Sequence, residues 1–313
     1  MRPTLLAIAV AAFSLPGFAA DLRLGIIGVD TSHAIEFTRI LNDSSAREHV
    51  EGARVVAAFA GGSPDIPSSR DRVAPHVEEL KGKYQIRFVD EIQDLCPLVD
   101  GILLESVDGR PHLAQFREAS ACGKPVFIDK PLASTLADAK EIARIGAEKH
   151  IPWFSTSSLR YSEILNMRSP DLQGAFVWGP GPMEEHHQLD LTWYGIHPVE
   201  MLFTLMGPDV IEVTRTYSQG ADVITGRWGG GRLGTVRTGR PYSSFGAVTF
   251  LPDNKSNVQA SFKVDYAPML AQVVEFMKTG TPPVPNNVTL KIFEFMDAAQ
   301  RSRENGGKPE PVQ

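Results

Sequence analysis

Residues Arg23–His33 read RLGIIGVDTSH, and the fold depends on how that stretch is read. Leu24–Ile27 is an apolar strand, and Gly28 is the residue for a tight turn out of it into a helix. A dinucleotide-binding turn carries two further glycines, one letting backbone approach the pyrophosphate and one allowing close helix–strand packing. Asp30 and His33 stand at those positions instead. A carboxylate at Asp30 would compete for the helix N-terminus that otherwise receives phosphate. Asp30, Thr31 or Ser32 is also a natural cap for the following helix, a role compatible with Asp30 and His33 lining a pocket. The next strand, ARVVAAFA, ends in GGSPD with no acid at its tip to hold a ribose, and Asp65 comes a few residues late. The first glycine of a Rossmann turn is therefore present, while the other two and the ribose acid are not.

Outward from this turn, strand and helix patterns alternate from Leu22 to about Ser158. HAIEFTRILND places Ala34, Phe37, Ile40 and Leu41 at helical spacing, and helices are expected in VAPHVEELKGKYQ, HLAQFREASACG and TLADAKEIARIGAEKH. Between them IRFVD, DGILLES, KPVFID and IPWFSTSS read as strands, and nearly continuous apolar strands in βα units predict a parallel sheet covered on both faces. Beyond Ser158, GAFVWG, VIEVTRTYS, ADVITGRWG, RLGTVRTG, FGAVTFLPD and NVQASFKVD alternate and are separated by Gly, Asp and Asn turns. Helices are expected at 196–206, in APMLAQVVEFMKTG and in LKIFEFMDAAQRSRENG. The fold class is α/β plus α+β: a Rossmann-type parallel-sheet domain over 20–158, then a domain over 159–313 with an open antiparallel sheet and helices.

The segment 1–19 reads as a signal peptide. Arg2 precedes the apolar LLAIAVAAF, and LPGFAA supplies a helix break and small residues, with cleavage expected after Ala19. An exported, periplasmic or secreted protein with no membrane span is the expectation. About 290 residues remain, enough for well-formed cores. A net charge of −6 without a long basic run argues against nucleic acid as partner. Cys96 and Cys122 could pair in an oxidising compartment, but spacing alone does not place them together, and free buried thiols are the expectation.

The stretch KPVFIDKPLASTLADAKEIARIGAEKHIPWFSTSSLRYS, 124–162, closely resembles the segment around the Glu-Lys-Pro motif of the glucose–fructose oxidoreductase/inositol dehydrogenase (Gfo/Idh/MocA) family. The motif reads Asp129-Lys130-Pro131 here. DYAPMLAQVVEFMKTGTPPV and FEFMDAAQRSRENGGKP are similar to the family's C-terminal helices, so the resemblance covers essentially the whole mature chain. It implies an oxidoreductase that uses NAD or NADP on a sugar, polyol or glycoside, assembled as a homo-oligomer. It places Lys130 between nicotinamide and substrate, with Gly28, Asp30, Thr31, Ser32, His33, Asp129, Lys130 and Pro131 around the cofactor. The bland alternative for Lys130 is an ion pair with Asp129.

The family's second catalytic element, Asp-x-Gly-x-His, survives here as Gly195 and His197, with Trp193 in place of the aspartate. His197 can act as acid or base near neutrality, and Asp190, Glu200 or Asp30 would have to orient it. Trp193 and Tyr194 suit stacking on a sugar face, although a core tryptophan is the commoner case. Arg160 and Tyr161 follow the last Rossmann strand, where the family often places substrate contacts; a surface ion pair is the alternative for Arg160. In MEEHHQLD, strand alternation would put Glu184 and His186 on one face, a weak candidate metal pair whose spacing matches no established motif. No metal is called. Two alternatives use the same scaffold without nucleotide: a redox-independent carbohydrate lyase or hydrolase, and a non-catalytic sugar-binding protein.

Overall fold

A computed structural model describes residues 20–313, and the signal peptide expected over 1–19 lies outside the described residues. The first sheet has six strands in the order β3-β2-β1-β4-β5-β6, all parallel. They are β1 (Leu22–Ile27), β2 (Ala53–Phe59), β3 (Arg87–Val89), β4 (Gly101–Leu104), β5 (Val126–Asp129) and β6 (Trp153–Thr156). Helices α1 (Ser32–Asn42), α2 (Pro67–Tyr84), α3 (His112–Ala119) and α4 (Leu136–Glu148) connect them. Because all strands run one way, Gly28, Glu105, Lys130 and Ser157 gather at one carboxyl-end edge, where ligands bind in open α/β sheets.

The central strands are buried on both faces, as their unbroken apolar runs require. Ile26, Leu103, Phe127 and Phe154 point to one side and Ile102, Leu104, Val126 and Ile128 to the other. The first side is covered partly by α6 (Ala267–Thr279), whose Phe276 meets Phe154 edge-on at 4.8 Å. A helix from the C-terminal half thus completes the N-terminal core.

The second sheet has seven strands in the order β12-β11-β7-β10-β9-β8-β13. These are β7 (Gly174–Pro180), β8 (Val210–Tyr217), β9 (Ala221–Trp228), β10 (Leu233–Gly239), β11 (Gly246–Leu251), β12 (Lys255–Gln259) and β13 (Glu310–Pro311). One face packs on α5 (Ile196–Met206) and α7 (Asn286–Glu304), with the Trp228 ring between Phe203 and Phe295. On the other face Leu233, Phe250 and Val258 remain exposed.

Four expectations are corrected. The sheet is mixed, because β7 and β10 pair in parallel, a pairing that alternation alone does not encode. Helix α2 begins at Pro67 rather than at Val73, since proline is favoured in a helix's first turn. MEEHHQLD is irregular backbone rather than strand. Finally, Cys96 and Cys122 form a disulfide, because the 3-10 turns at Ile92–Leu95 and Ser120–Cys122 bring their Cα atoms to 4.8 Å.

Candidate active site

A cavity of about 370 Å³ opens where the carboxyl-end edge of the first sheet meets the start of α5. The turn after β5 sends Lys130 into its wall. Lys130 is 9% exposed, and among the described residues its Nζ has no hydrogen bond or ion pair; it lies 5.9 Å from the Tyr194 ring. His197, in the first turn of α5, lines the same cavity with Trp193 and Tyr194.

His197, Glu200, His33 and Asp129 are each held by a partner from another element. His197 Nδ1 lies 2.7 Å from Ser157 Oγ, just after β6, leaving Nε2 as its free nitrogen. Burial pushes the imidazole well below its ordinary pKa, and nearby Lys130 and His33 add to this. Glu200 accepts from Ser157 N at 2.8 Å and from Arg160 Nε at 2.7 Å, and also bonds Thr156 Oγ1. One turn beyond His197, Glu200 thereby fixes the strand end that orients the imidazole. On the opposite wall His33 Nδ1 pairs with Asp129 Oδ2 at 2.6 Å, stacks on Phe37 and meets Tyr266 edge-on. Burial alone would raise Asp129, but His33 and Lys130 hold its carboxyl below the usual value. Burial and the neighbouring Asp129 carboxylate push Tyr266 up to about 12. Behind this wall Glu105 is fully buried with neither carboxylate oxygen bonded. Burial, followed by the charges on Asp129 and Asp30, raises it well above the usual range.

Asp30 does not compete for the helix N-terminus. Thr31 is the N-cap, its Oγ1 accepting from His33 N, while the buried Asp30 carboxylate turns the other way. It accepts from Ser69 Oγ at 2.6 Å and from Val107 N at 3.3 Å. Ser63 Oγ donates to Asp108 at 2.6 Å, and Arg110 joins Asp108 to Asp65. The loops after β2 and β4 are therefore stitched together directly over Gly28. That turn packs so tightly that a Cβ on Gly28 would fall 2.3 Å from Ser106 Oγ, and its φ of +89° suits glycine.

These details test the fit of a dinucleotide. At one end the main cavity offers the α1 N-terminus, Ser32, Ser68 and Arg72 beside Lys130 and His197. At the other, Gly61, Gly62, Pro111 and Gln115 line an open depression at the ends of β2 and β3. Gly28, Val29 and Asp30 line neither. The two ends offer room for a nicotinamide and an adenosine, and between them the hydrogen bonds of Asp30 and Asp108 join the loops after β1, β2 and β4.

The cavity brings together Thr31, Ser32, His33, Lys130, Trp193, Tyr194 and His197 of the residues anticipated from sequence. Gly28, Asp30, Asp129 and Pro131 stand behind it. Asp129 pairs with His33, so the expected alternative of a Lys130–Asp129 pair is not what forms. Arg160 is a largely buried partner of Glu200, and Tyr161 lines a different cavity with Glu36 and Arg39, so neither reaches the substrate space. The orienting partner of His197 is Ser157 rather than Asp190, Glu200 or Asp30; Asp190 is bound by Arg215 and Arg303. Glu184 and His186 pair with each other at 2.5 Å on the surface, and no cluster of three metal-ligating side chains exists among the described residues. Sequence reasoning missed Ser68, Arg72, Glu105, Ser157 and Tyr266. Burial or long-range packing brings these into play, and no local motif marks them.

Residues 22–156 match the family model described as oxidoreductase family, NAD-binding Rossmann fold, GFO_IDH_MocA. No curated protein matches the sequence significantly. Among solved structures, a myo-inositol 2-dehydrogenase from Lactobacillus plantarum superposes with a TM-score of 0.75 at 15% identity, covering 94% of this chain and 100% of its own. A Lactobacillus casei myo-inositol dehydrogenase in complex with NAD(H) and myo-inositol gives 0.69 at 16%, covering 94% and 97%. A probable dehydrogenase from Thermotoga maritima gives 0.71 at 18%, covering 93% and 99%.

Proposed function

We propose that this chain is an oxidoreductase of the Gfo/Idh/MocA kind, whose family model its residues 22–156 match, and that it oxidises or reduces a carbinol carbon of a sugar, polyol or glycoside with NAD or NADP. The observation that carries the reading is Lys130, a cation unpartnered among the described residues, sharing one cavity with the His197 imidazole. The dinucleotide, when bound, supplies the hydride acceptor or donor. Lys130 Nζ hydrogen-bonds the reacting oxygen and stabilises charge developing on it. His197, kept neutral by burial, exchanges the hydroxyl proton through Nε2. The Trp193 and Tyr194 rings offer an apolar wall for a sugar face. The N-terminal sequence and the Cys96–Cys122 disulfide support an oxidising, extracytoplasmic setting. The open face of the second sheet, with Leu233, Phe250 and Val258 exposed, supports a homo-oligomer.

The test is to denature the purified mature protein and assay released nicotinamide by absorbance and mass, then titrate NAD and NADP against the melting temperature. Retained nucleotide, or a shift on addition, is the expected result. Neither release nor shift would remove the oxidoreductase reading and leave redox-independent chemistry at Lys130 and His197.

A further inference from the structure

His33 and Asp129 form a pair that the proposed hydride transfer does not use. His33 Nδ1 lies 2.6 Å from Asp129 Oδ2, and the Asp129 side chain is 2% exposed. His33 and Lys130 hold that carboxyl below its ordinary pKa, so near neutrality it is a carboxylate that only accepts, and Nδ1 carries the proton. Nε2 is then the nitrogen with the lone pair, and it has no bond among the described residues. The ring lines the main cavity between Phe37 and Tyr266, at centroid distances of 5.0 and 4.9 Å. A histidine fixed in one tautomer by a buried carboxylate, its other nitrogen uncommitted at a cavity, has the arrangement of a general base.

An anion-binding role does not suit this imidazole, because Asp129 already supplies its counter-charge. Nor does it duplicate His197, which stands on the opposite wall, held by Ser157. Lys130 and His33 both act on His197 through space, so the three groups surround one volume. Asp129 and Lys130 are consecutive, about 3.8 Å apart at Cα. An oxygen bound at Lys130 Nζ therefore has its neighbouring carbons beside the imidazole that Asp129 holds. We infer that His33, backed by Asp129, is a second catalytic base, which removes a proton from the carbon next to the carbonyl of a keto sugar or keto polyol. The C–H bond breaks and its proton passes to Nε2. The electron pair moves onto the carbonyl oxygen, giving an enediolate whose charge Lys130 Nζ stabilises. Asp129 accepts from Nδ1 and balances the imidazolium, whose proton exchanges with solvent. Return of a proton restores the ketone, so nothing is oxidised or reduced. The site thus adds proton exchange at carbon to hydride transfer, and the inference rests on the proposed function only for the substrate class.

The experiment is proton NMR of dihydroxyacetone, fructose and 2-keto-myo-inositol in deuterium oxide, with the mature protein and no added nucleotide. The signal of hydrogen on the carbon beside the carbonyl is expected to fade, in at least one ketone, well above the rate without protein. His33→Gln should slow this roughly 10²-fold or more. Asp129→Asn should slow it too, because an amide can donate to Nδ1 and turn the lone pair away from the cavity. Added imidazole should restore part of the exchange to His33→Ala, which a loss of packing alone would not allow. Absence of exchange into all three ketones overturns the inference. Exchange that survives His33→Gln also overturns it, and its loss in Lys130→Met would then assign the step to the lysine. Exchange by a protein that neither retains nor binds nucleotide would remove the oxidoreductase reading alone, while bound nucleotide without exchange would remove this inference alone.

Discussion

Two side chains at the cavity wall carry distinct and separable expectations. On the proposed reading, Lys130→Met removes the charge that would stabilise a developing alkoxide, and His197→Gln removes the group that would take the hydroxyl proton. Each should lower kcat roughly 10²–10⁴-fold with the melting temperature little changed, as steady-state kinetics and thermal melts would report. Because burial depresses His197, its imidazole stays neutral below the ordinary value of about 6.5. The acid limb of kcat/KM should therefore lie below that pH, and an inflection at or above it would contradict the assignment. Glu105 behaves oppositely. Its folded pKa is raised, so the folded state holds a proton that the unfolded chain releases near pH 4.5. Stability should fall as pH rises above that value, by up to ~1.4 kcal/mol per unit. Glu105→Gln should raise the melting temperature at pH 7 more than at pH 4. Lys130 and His197 were legible because their neighbours in sequence form a motif. Glu105 was not, since nothing in DGILLES says that the strand ends among two other carboxylates. Asp30 was legible as an anomaly but its partner was not: Ser69 lies in another element.

Among the elements, helices were easiest to place and connections hardest. Helix α5 is predicted and observed at Ile196–Met206, its apolar residues facing in on nearly every side. Helix α2 starts six residues before Val73 because PSS can open a helix as readily as a turn, and those residues bring Ser69 and Arg72 to the crevice. The parallel β7–β10 pair was invisible for the same reason that any pairing is: alternation fixes which face is buried, not which neighbour is met. The disulfide belongs to this scale too. It spans 26 residues, enclosing β4, the stitched loop and α3. Replacing both cysteines by serine should cost roughly 3 kcal/mol on the loop-closure argument, measurable by denaturant unfolding. The same change should loosen Ser106–Arg110, which hydrogen exchange at Val107 would detect.

At the scale of the whole molecule the two halves are less separate than their textures suggest. Helix α6 closes the first core, and His187, ahead of α5, bonds Asp108 at 2.9 Å and Thr192 at 2.8 Å. Burial alone would raise Asp108, yet its bonds from His187, Arg110 and Ser63 hold it well below the usual range. Asp108 is therefore shared by the bridge over Gly28 and by the contact with the second half. That sharing has a kinetic consequence. If that bridge must part for a nucleotide to bind, its apparent affinity is reduced by the fraction of molecules in which the bridge is open. Once the bridge closes behind it, the same rarity of opening slows its escape. The cofactor would then act as a resident group, oxidised and reduced in place by successive substrates, a ping-pong pattern rather than exchange at every turnover. Ser69→Ala should speed both loading and loss of NAD without abolishing binding, and stopped-flow exchange against a fluorescent nucleotide would measure the two rates.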